Sequence, residues 1–201
     1  MTGASGSARV RAVVLVEGVS DRVALEVLAR RRGLDPAADG VALVAMDGIT
    51  NLSRFLLRYP SRRNAHGAAG VLIAGLYDDA EKRVVRRALE RAGSNPAQGP
   101  EGLEALGFFG CSADLEDELI RALGPVAVER LVEEQGQLRS FRTLQKQPAQ
   151  RDRSLHDQLR RLMGGRSGGK ERYAAVMAGA VPLERVPRPL DAVLEYIYAK
   201  G

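Results

Sequence analysis

A unit of strand, acidic residue and helix recurs in the first part of the 201-residue chain and constrains its fold more than any other feature. The first copy is VVLVEGVSD at residues 13–21, where four apolar residues lead into Glu17 and a glycine. A continuous apolar run of this length is typical of a strand covered on both faces. We predict a strand at 10–16, a turn at Gly18, and a helix at 21–32 capped by Ser20 or Asp21.

The same unit is repeated at intervals of about 30 residues, which is the size of a βαβ unit. Apolar runs predict further strands at 41–46, 71–77 and 105–110, and helices are expected at 50–59 and 81–92. This alternation predicts an α/β fold with a mostly parallel four-stranded sheet flanked by helices. After residue 118 the pattern changes to short helices separated by glycine or proline.

Three segments follow from these patterns. We expect a disordered tail at 1–9, an α/β domain at 10–124, and a basic helical extension at 125–201 that packs on the α/β core or forms a small core of its own. No apolar run approaches the roughly 20 residues needed to cross a bilayer, and the N-terminus lacks the apolar core of a signal peptide. The single cysteine, Cys111, excludes an internal disulfide and favours a reducing, cytoplasmic location.

Two or more acidic residues follow each of the first, third and fourth predicted strands. The carboxyl ends of parallel strands share one edge of a sheet, so these side chains are expected to converge there. Crowded carboxylates repel one another unless a cation lies among them, and oxygen ligands of this kind suit Mg²⁺ or Mn²⁺. The simpler interpretation is that each acid begins a helix, where the helix dipole favours it. The acids are Glu17 and Asp21 after the first strand, Asp78, Asp79 and Glu81 after the third, and Asp114 and Glu116 after the fourth.

Three motifs resemble those of a Toprim domain of the kind found in OLD-family (overcoming lysogenisation defect) nucleases. They are VEGVSD at 16–21, GLYDDAE at 75–81 and DLEDEL at 114–119. The resemblance implies a Rossmann-like Toprim fold that binds Mg²⁺ or Mn²⁺ and hydrolyses phosphodiester bonds in nucleic acid, with DNA the expected substrate. Carried onto this chain, it implies catalytic roles for Glu17, Asp78 and Lys170. The metal ligands it implies are Glu17, Asp21, Asp78, Glu81, Asp114 and Glu116.

The chain departs from the usual Asp-x-Asp pattern of this family at Ala80, where the second acid would stand. Asp79 or Glu81 could replace that acid, and we expect Glu81 because its side chain is longer. The segment DGITN at 47–51 also resembles a family feature, with Gly48 beside the metal site and Asn51 contacting phosphate. An ordinary Asp-Gly turn with Thr50 as a helix cap explains the same residues.

The C-terminal region has an excess of positive charge, and the whole chain carries a formal net charge of +5. Such an excess could contact a nucleic-acid backbone, although a solvated helix face explains it equally well. The segment GGRSGGK at 164–170 has the spacing of a phosphate-binding loop, but it follows a helical pattern and lacks the Ser/Thr that should come after the lysine. We expect its glycines to bring Lys170 to the acidic edge instead; a solvent-exposed lysine at a helix start is the alternative. The nucleic-acid contacts we predict are Arg139, Arg142, Lys146, Arg166 and Lys170.

The first functional hypothesis is therefore a metal-dependent endonuclease. OLD-family proteins usually join their Toprim domain to an ATPase, and a separate ATPase protein is an expected partner because none is visible in this sequence. A non-catalytic nucleic-acid-binding module with a weak metal site or none is the second hypothesis. The third is a nucleotidyl transferase or phosphohydrolase that uses the same acidic edge.

Overall fold

A four-stranded parallel sheet forms the centre of the protein, as seen in a computed structural model that describes residues 9–59, 61, 70–165 and 168–200. The strands lie in the order β2-β1-β3-β4, and every neighbouring pair is parallel. The α/β fold predicted from the alternating pattern is confirmed. The strands are β1 (Ala12–Val16), β2 (Val41–Ala45), β3 (Leu72–Asp78) and β4 (Phe108–Cys111).

Helices connect the strands and make up the C-terminal part of the chain. Short 3₁₀ turns at Ile49–Asn51 and Asp79–Glu81 precede two of them, and a third lies at Leu183–Arg185. The helices are α1 (Val19–Arg31), α2 (Leu52–Arg58), α3 (Lys82–Arg91), α4 (Pro100–Glu104), α5 (Leu115–Leu123), α6 (Pro125–Glu134), α7 (Leu138–Gln145), α8 (Leu155–Gly164), α9 (Gly169–Ala180) and α10 (Arg188–Lys200). The short helix α4 was not predicted, although a proline at its first position is a recognised signal for a helix start.

The start of the first helix, α1, differs from its prediction. Helix α1 begins at Val19, two residues earlier than expected, and Gly18 is its N-cap. The chain bends at residues 17–18, as predicted, but Gly18 has φ −129° and ψ 176°, an extended conformation open to any residue, so the bend does not depend on a glycine. Asp21 lies in the first turn, where its carboxylate accepts a hydrogen bond from the Gly18 N–H at 2.9 Å. This acid therefore supports the helix start without being the cap residue.

The sheet is covered on both faces, which explains the unbroken apolar run of β1. All five residues of β1 are fully buried, and successive side chains point to opposite faces. Val14 and Val16 pack in one core with α1 and the C-terminal helices, whereas Val13 and Leu15 pack in a second core with α2 and α3. Close strand packing requires Gly75, because a Cβ there would lie 2.7 Å from the Leu15 carbonyl oxygen.

The C-terminal helices share the core of the sheet. Helix α9 packs along α1, and α10 packs against β3 and β4. Buried residues of α6, α7 and α8, such as Val128, Phe141 and Leu159, belong to the same core as β1. No helix in the described part of the chain is long and apolar enough to cross a membrane. The tail expected at residues 1–9 lies outside the described residues except for Arg9, which is exposed.

Candidate metal centre

The strand register brings two of the predicted acids together at the carboxyl edge of the sheet. Leu15 of β1 pairs with Gly75 of β3, so Glu17, just after β1, lies beside the end of β3 at Asp78. The 3₁₀ turn that follows β3 adds Glu81, and one carboxylate oxygen from each of the three residues lies within 4.8 Å of the others. Asp79 is exposed and is not part of this group. We call Glu17, Asp78 and Glu81 the carboxylate cluster.

A cavity of about 190 Å³ opens at the cluster. Its walls come from β1 and α1, the end of β3, the start of α5 and the start of α9. The fold therefore gathers residues that are up to 153 positions apart, from Glu17 to Lys170, around one small space. The charged residues that line it are Glu17, Asp21, Asp78, Asp114, Glu116 and Lys170.

Three acids at this edge have pKa values above their ordinary range in the absence of a cation. Burial, together with the negative charges of Asp21 and Glu17, raises the pKa of Asp78 to about 7. The pKa of Glu81 is also raised to about 7, by burial, by a hydrogen bond with Glu17 and by neighbouring charge. Burial raises the pKa of Asp21 to about 6, although its hydrogen bond from Gly18 opposes the shift. Like charges held this close favour either a proton or a cation between them.

Asp114 is engaged by the protein through both of its oxygens. Oδ1 accepts a hydrogen bond from the Asp117 N–H at 2.8 Å, so Asp114 is the N-cap of α5. Oδ2 pairs with the guanidinium group of Arg160 in α8. Arg160 was not among the site residues predicted from the sequence. The two partners are 46 positions apart in the chain, so no local pattern could have predicted the pair. Asp114 thus lies at the cavity but already has two partners.

Glu116 has an unusual environment for a carboxylate. Its side chain is 5% exposed, and its Oε1 atom is buried without a hydrogen-bond partner in the described structure. The second oxygen, Oε2, lies 3.4 Å from Nζ of Lys170. Burial lowers the pKa of Lys170, but the charges of Glu116 and Asp114 outweigh this effect and raise the pKa overall. Lys170 is therefore held as a cation at the acidic edge.

The donor set fits a divalent cation. Carboxylate oxygens are the hard ligands that Mg²⁺ and Mn²⁺ prefer. Buried oxygens at Glu81 and Glu116 have no hydrogen-bond partner in the described structure, and a buried polar atom of this kind is unfavourable unless something binds it. Glu17, Asp78 and Glu81 could hold one ion, with Asp21 and Glu116 close by.

The glycine turn after β2 supports the cluster through its backbone. The N–H of Gly48 donates to the carbonyl of Glu17 at 3.1 Å, and Gly48 has φ +112°, which favours glycine. The side-chain amide of Asn51 donates to the carbonyls of Met46 and Asp47 at 2.9 and 3.1 Å. These bonds close the turn, so the structure favours the ordinary-turn interpretation of Asn51. Thr50, expected as the helix cap of that turn, instead lies within the 3₁₀ turn, and Asn51 is the N-cap of α2.

The predicted nucleic-acid contacts lie in different settings. Arg139 and Lys146 are exposed at the two ends of α7. Arg142, in the same helix, pairs with Glu129 at 2.6 Å. Arg166 lies outside the described residues. Lys170, as described above, lines the acidic cavity.

Comparisons with known proteins agree with this architecture. Residues 10–59 match the family model of the overcoming lysogenization defect protein-like TOPRIM domain. The C-terminal region of the Burkholderia pseudomallei OLD protein superposes with a TM-score of 0.69 at 22% identity, over 95% of this chain and 98% of that one. The chain has the fold of an OLD-like Toprim domain. The resemblance inferred from the sequence motifs is thereby confirmed.

A second solved structure gives the same result for the Toprim fold. The C-terminal region of the Xanthomonas campestris pv. campestris OLD protein, phased with platinum, has a TM-score of 0.68 at 24% identity, over 94% of this chain and 93% of that one. No curated protein matches the chain significantly. The solved structures cover 95% and 94% of this chain, so most of the C-terminal helical part belongs to the shared fold together with the sheet.

Proposed function

We propose that this Toprim domain hydrolyses phosphodiester bonds in nucleic acid, with DNA the expected substrate and Mg²⁺ or Mn²⁺ the cofactor. The main support for the proposal is the carboxylate cluster, in which one oxygen from each of the three residues lies within 4.8 Å of the others. The cavity beside the cluster is also lined by Lys170. Carboxylates this close are unfavourable on their own and become favourable when a divalent cation binds them. The proximity of Glu81 to Glu17 and Asp78 supports the choice of Glu81 as the replacement for the acid missing at Ala80.

The residues of the site divide into three roles under this proposal. Glu17, Asp78 and Glu81 hold the cation, and Asp21 and Glu116 complete or extend the ligand set, with Asp114 aligned by Arg160. A divalent ion bound there supplies positive charge against the scissile phosphate and lowers the pKa of water. Lys170 contributes a second positive charge that stabilises the negative charge building on the phosphate in the transition state.

The substrate would reach the site along basic surfaces. Arg139, Arg142, Lys146, Arg166 and Lys170 are the proposed contacts in the C-terminal region, where Arg142 would exchange its pairing with Glu129 for a phosphate. A separate ATPase protein is the proposed partner by analogy with the two-part organisation of OLD-family proteins.

Nicking of supercoiled plasmid DNA tests the proposal. The wild-type protein should nick the plasmid in Mg²⁺ or Mn²⁺ and not in EDTA, and Glu17→Gln should lower the rate by at least about 100-fold because a metal ligand is lost. Glu195→Gln is the matched control, since Glu195 is an exposed acid in α10, and it should leave the rate unchanged. Isothermal titration of Mn²⁺ should show weaker binding to Glu17→Gln than to either of the others.

The outcomes separate the three hypotheses. Cleavage that survives Glu17→Gln would contradict the proposed site. DNA binding without any cleavage by the wild type would favour the non-catalytic module. Phosphate release from nucleoside triphosphates, without nicking, would favour the nucleotide-directed enzyme.

A further inference from the structure

A groove with one basic wall lies between α2 and α3, on the side of the sheet opposite the C-terminal helices. It has a volume of about 290 Å³. Three arginines of α3 line one wall, and two hydroxyl groups from the 3₁₀ turn and α2 line the other. We call it the α2–α3 groove. The residues that matter are Arg83, Arg87 and Arg91 on one wall and Thr50 and Ser53 on the other.

The three arginines form a row because they are four residues apart on one helix. All three are exposed, and no described residue forms a hydrogen bond or an ion pair with their guanidinium groups. Glu90, the acidic residue of α3, does not line the groove. Arg86, on the adjacent face of α3, differs from these three arginines because its guanidinium group is engaged. It donates hydrogen bonds to the carbonyls of Pro96, Ala97 and Gly99.

This row does not stabilise the protein by itself. Like charges four residues apart on a helix repel each other. Arg83 stands in the first turn of α3, where the helix dipole disfavours a cation. An anionic ligand in the groove would relieve both effects, and the hydroxyl groups of Thr50 and Ser53 could donate hydrogen bonds to it.

The groove begins next to the carboxylate cluster. Arg83 follows Glu81, a member of the cluster, by two residues. The opposite wall begins at Ile49, which follows Gly48, and the N–H of Gly48 donates to the carbonyl of Glu17. Both walls therefore extend outward from residues that are fixed to the proposed metal site.

We propose that the α2–α3 groove binds the phosphate backbone of the nucleic-acid substrate and leads it to the carboxylate cluster. The row from Arg83 to Arg91 spans eight residues, or about 12 Å along a helix. Phosphates of one DNA strand are spaced about 3.4 Å along the duplex axis, so the row matches the backbone of three to four nucleotides. This inference rests on the proposed function and adds a binding surface outside the C-terminal region.

Equilibrium binding of a fluorescent DNA duplex in EDTA, measured at several salt concentrations, tests the groove. The variant is Arg83→Gln/Arg87→Gln/Arg91→Gln. The control is Arg30→Gln/Arg130→Gln/Arg185→Gln, which removes the same charge from exposed arginines elsewhere. The groove variant should bind more than about tenfold more weakly than the control, and its slope of log K against log salt should be smaller by about 2 to 3.

Kinetics provide a second measurement that does not depend on overall charge. With plasmid DNA the groove variant should raise KM and leave kcat nearly unchanged, because these contacts hold the substrate equally in the ground and transition states. Cleavage of a small activated phosphodiester, which is too short to reach the groove, should be unaffected.

The inference is overturned if the groove variant and the control bind DNA equally, or if the wild type shows no binding to DNA. Failure of the proposed function would look different. In that case the wild type would cleave neither DNA nor the small diester, while the groove variant would still lose binding relative to the control.

Discussion

The acidic edge of the sheet and the basic C-terminal helices use their charges in opposite ways. At the edge, Glu17, Asp78 and Glu81 stand together, and no basic residue of the described chain pairs with them. In the C-terminal helices, Arg142 pairs with Glu129 and Arg160 with Asp114. The first arrangement is unfavourable until a ligand binds, whereas the second stabilises contacts between helices.

This difference shows that the number of charged residues in a segment is a poor guide to where a ligand binds. The C-terminal region contains ten lysines and arginines between residues 137 and 172 against three acids, yet several of its arginines are engaged within the protein. The arginines of the α2–α3 groove are fewer but have no such partners in the described structure. Charges that the fold leaves without partners are the better candidates for binding a ligand.

The largest expected effect concerns Lys170, the cation that reaches the acidic edge. Lys170→Met should lower kcat for DNA cleavage by about 100-fold, because it removes positive charge that is aimed at the scissile phosphate. Single-turnover cleavage at saturating Mg²⁺ measures this effect. Lys200→Met, which changes an exposed lysine of α10, is the control and should cleave like the wild type.

The loss of Lys170 also leaves Glu116 without its cation, so the fold of the variant must be checked by thermal unfolding. Lys170→Arg keeps the charge and should recover part of the rate. A Lys170→Met protein that is folded and cleaves at the wild-type rate would show that the lysine only pairs with Glu116.

The second prediction uses the unfavourable charge of Asp78. Its pKa is about 7 in the folded protein and 3.8 ordinarily, so the folded state binds a proton more tightly than the unfolded state between these values. Without metal, the contribution of this group to stability therefore falls as the pH rises from about 4 to 7, and the full penalty is present above 7. Because the side chain is half-buried and partly screened, we expect a penalty of about 1 kcal/mol.

Asp78→Asn should therefore raise the Tm at pH 8 in EDTA by about 2–4 °C and should give little difference near pH 4. Differential scanning calorimetry at the two pH values measures both. In saturating Mg²⁺ at pH 8 the order should reverse, since only the wild type keeps all three ligands and gains stability from binding. A variant that is less stable than the wild type at pH 8 in EDTA would show that Asp78 has a stabilising partner.

The smallest effects are expected in the C-terminal helices, where two ion pairs differ in their surroundings. Arg160 holds the N-cap residue of α5, so Arg160→Met should cost about 1 kcal/mol of unfolding free energy. Arg142 is about half exposed, and Arg142→Met should cost less than about 0.5 kcal/mol. Urea unfolding of both variants measures the two losses of unfolding free energy. Equal losses would indicate that the Arg160–Asp114 pair stabilises the protein no more than an exposed ion pair does.

Much of the site could be predicted from the sequence because strand ends carry local signals. The apolar runs before Glu17 and Asp78 identify strands, and the spacing between them identifies parallel pairing. Parallel pairing then places both acids at one edge without any knowledge of side-chain contacts. The choice of Glu81 in place of the acid missing at Ala80 came from side-chain length, and the structure brings Glu81 into the cluster.

Other features had no local signal. The extended conformation of Gly18 was not predicted, because a glycine after a strand is compatible with several conformations. The contact between Asp114 and Arg160 joins two helices that are distant in the sequence. The arginine row of α3 does have a signal in its four-residue spacing, but a solvated helix has the same pattern.

The succession of strands and helices along the chain, the parallel sheet and the edge at which the acids meet all follow from the sequence, because hydrophobic periodicity and βαβ spacing are local properties of the chain. The pairing of the charges follows only from the packed fold. The fold paired Asp114 with Arg160 and Glu116 with Lys170, and among the described residues it left the carboxylate cluster without a basic partner and the three groove arginines of α3 without an acidic one. Pairing depends on contacts between residues far apart in the chain, and these exist only once the helices have packed on the sheet.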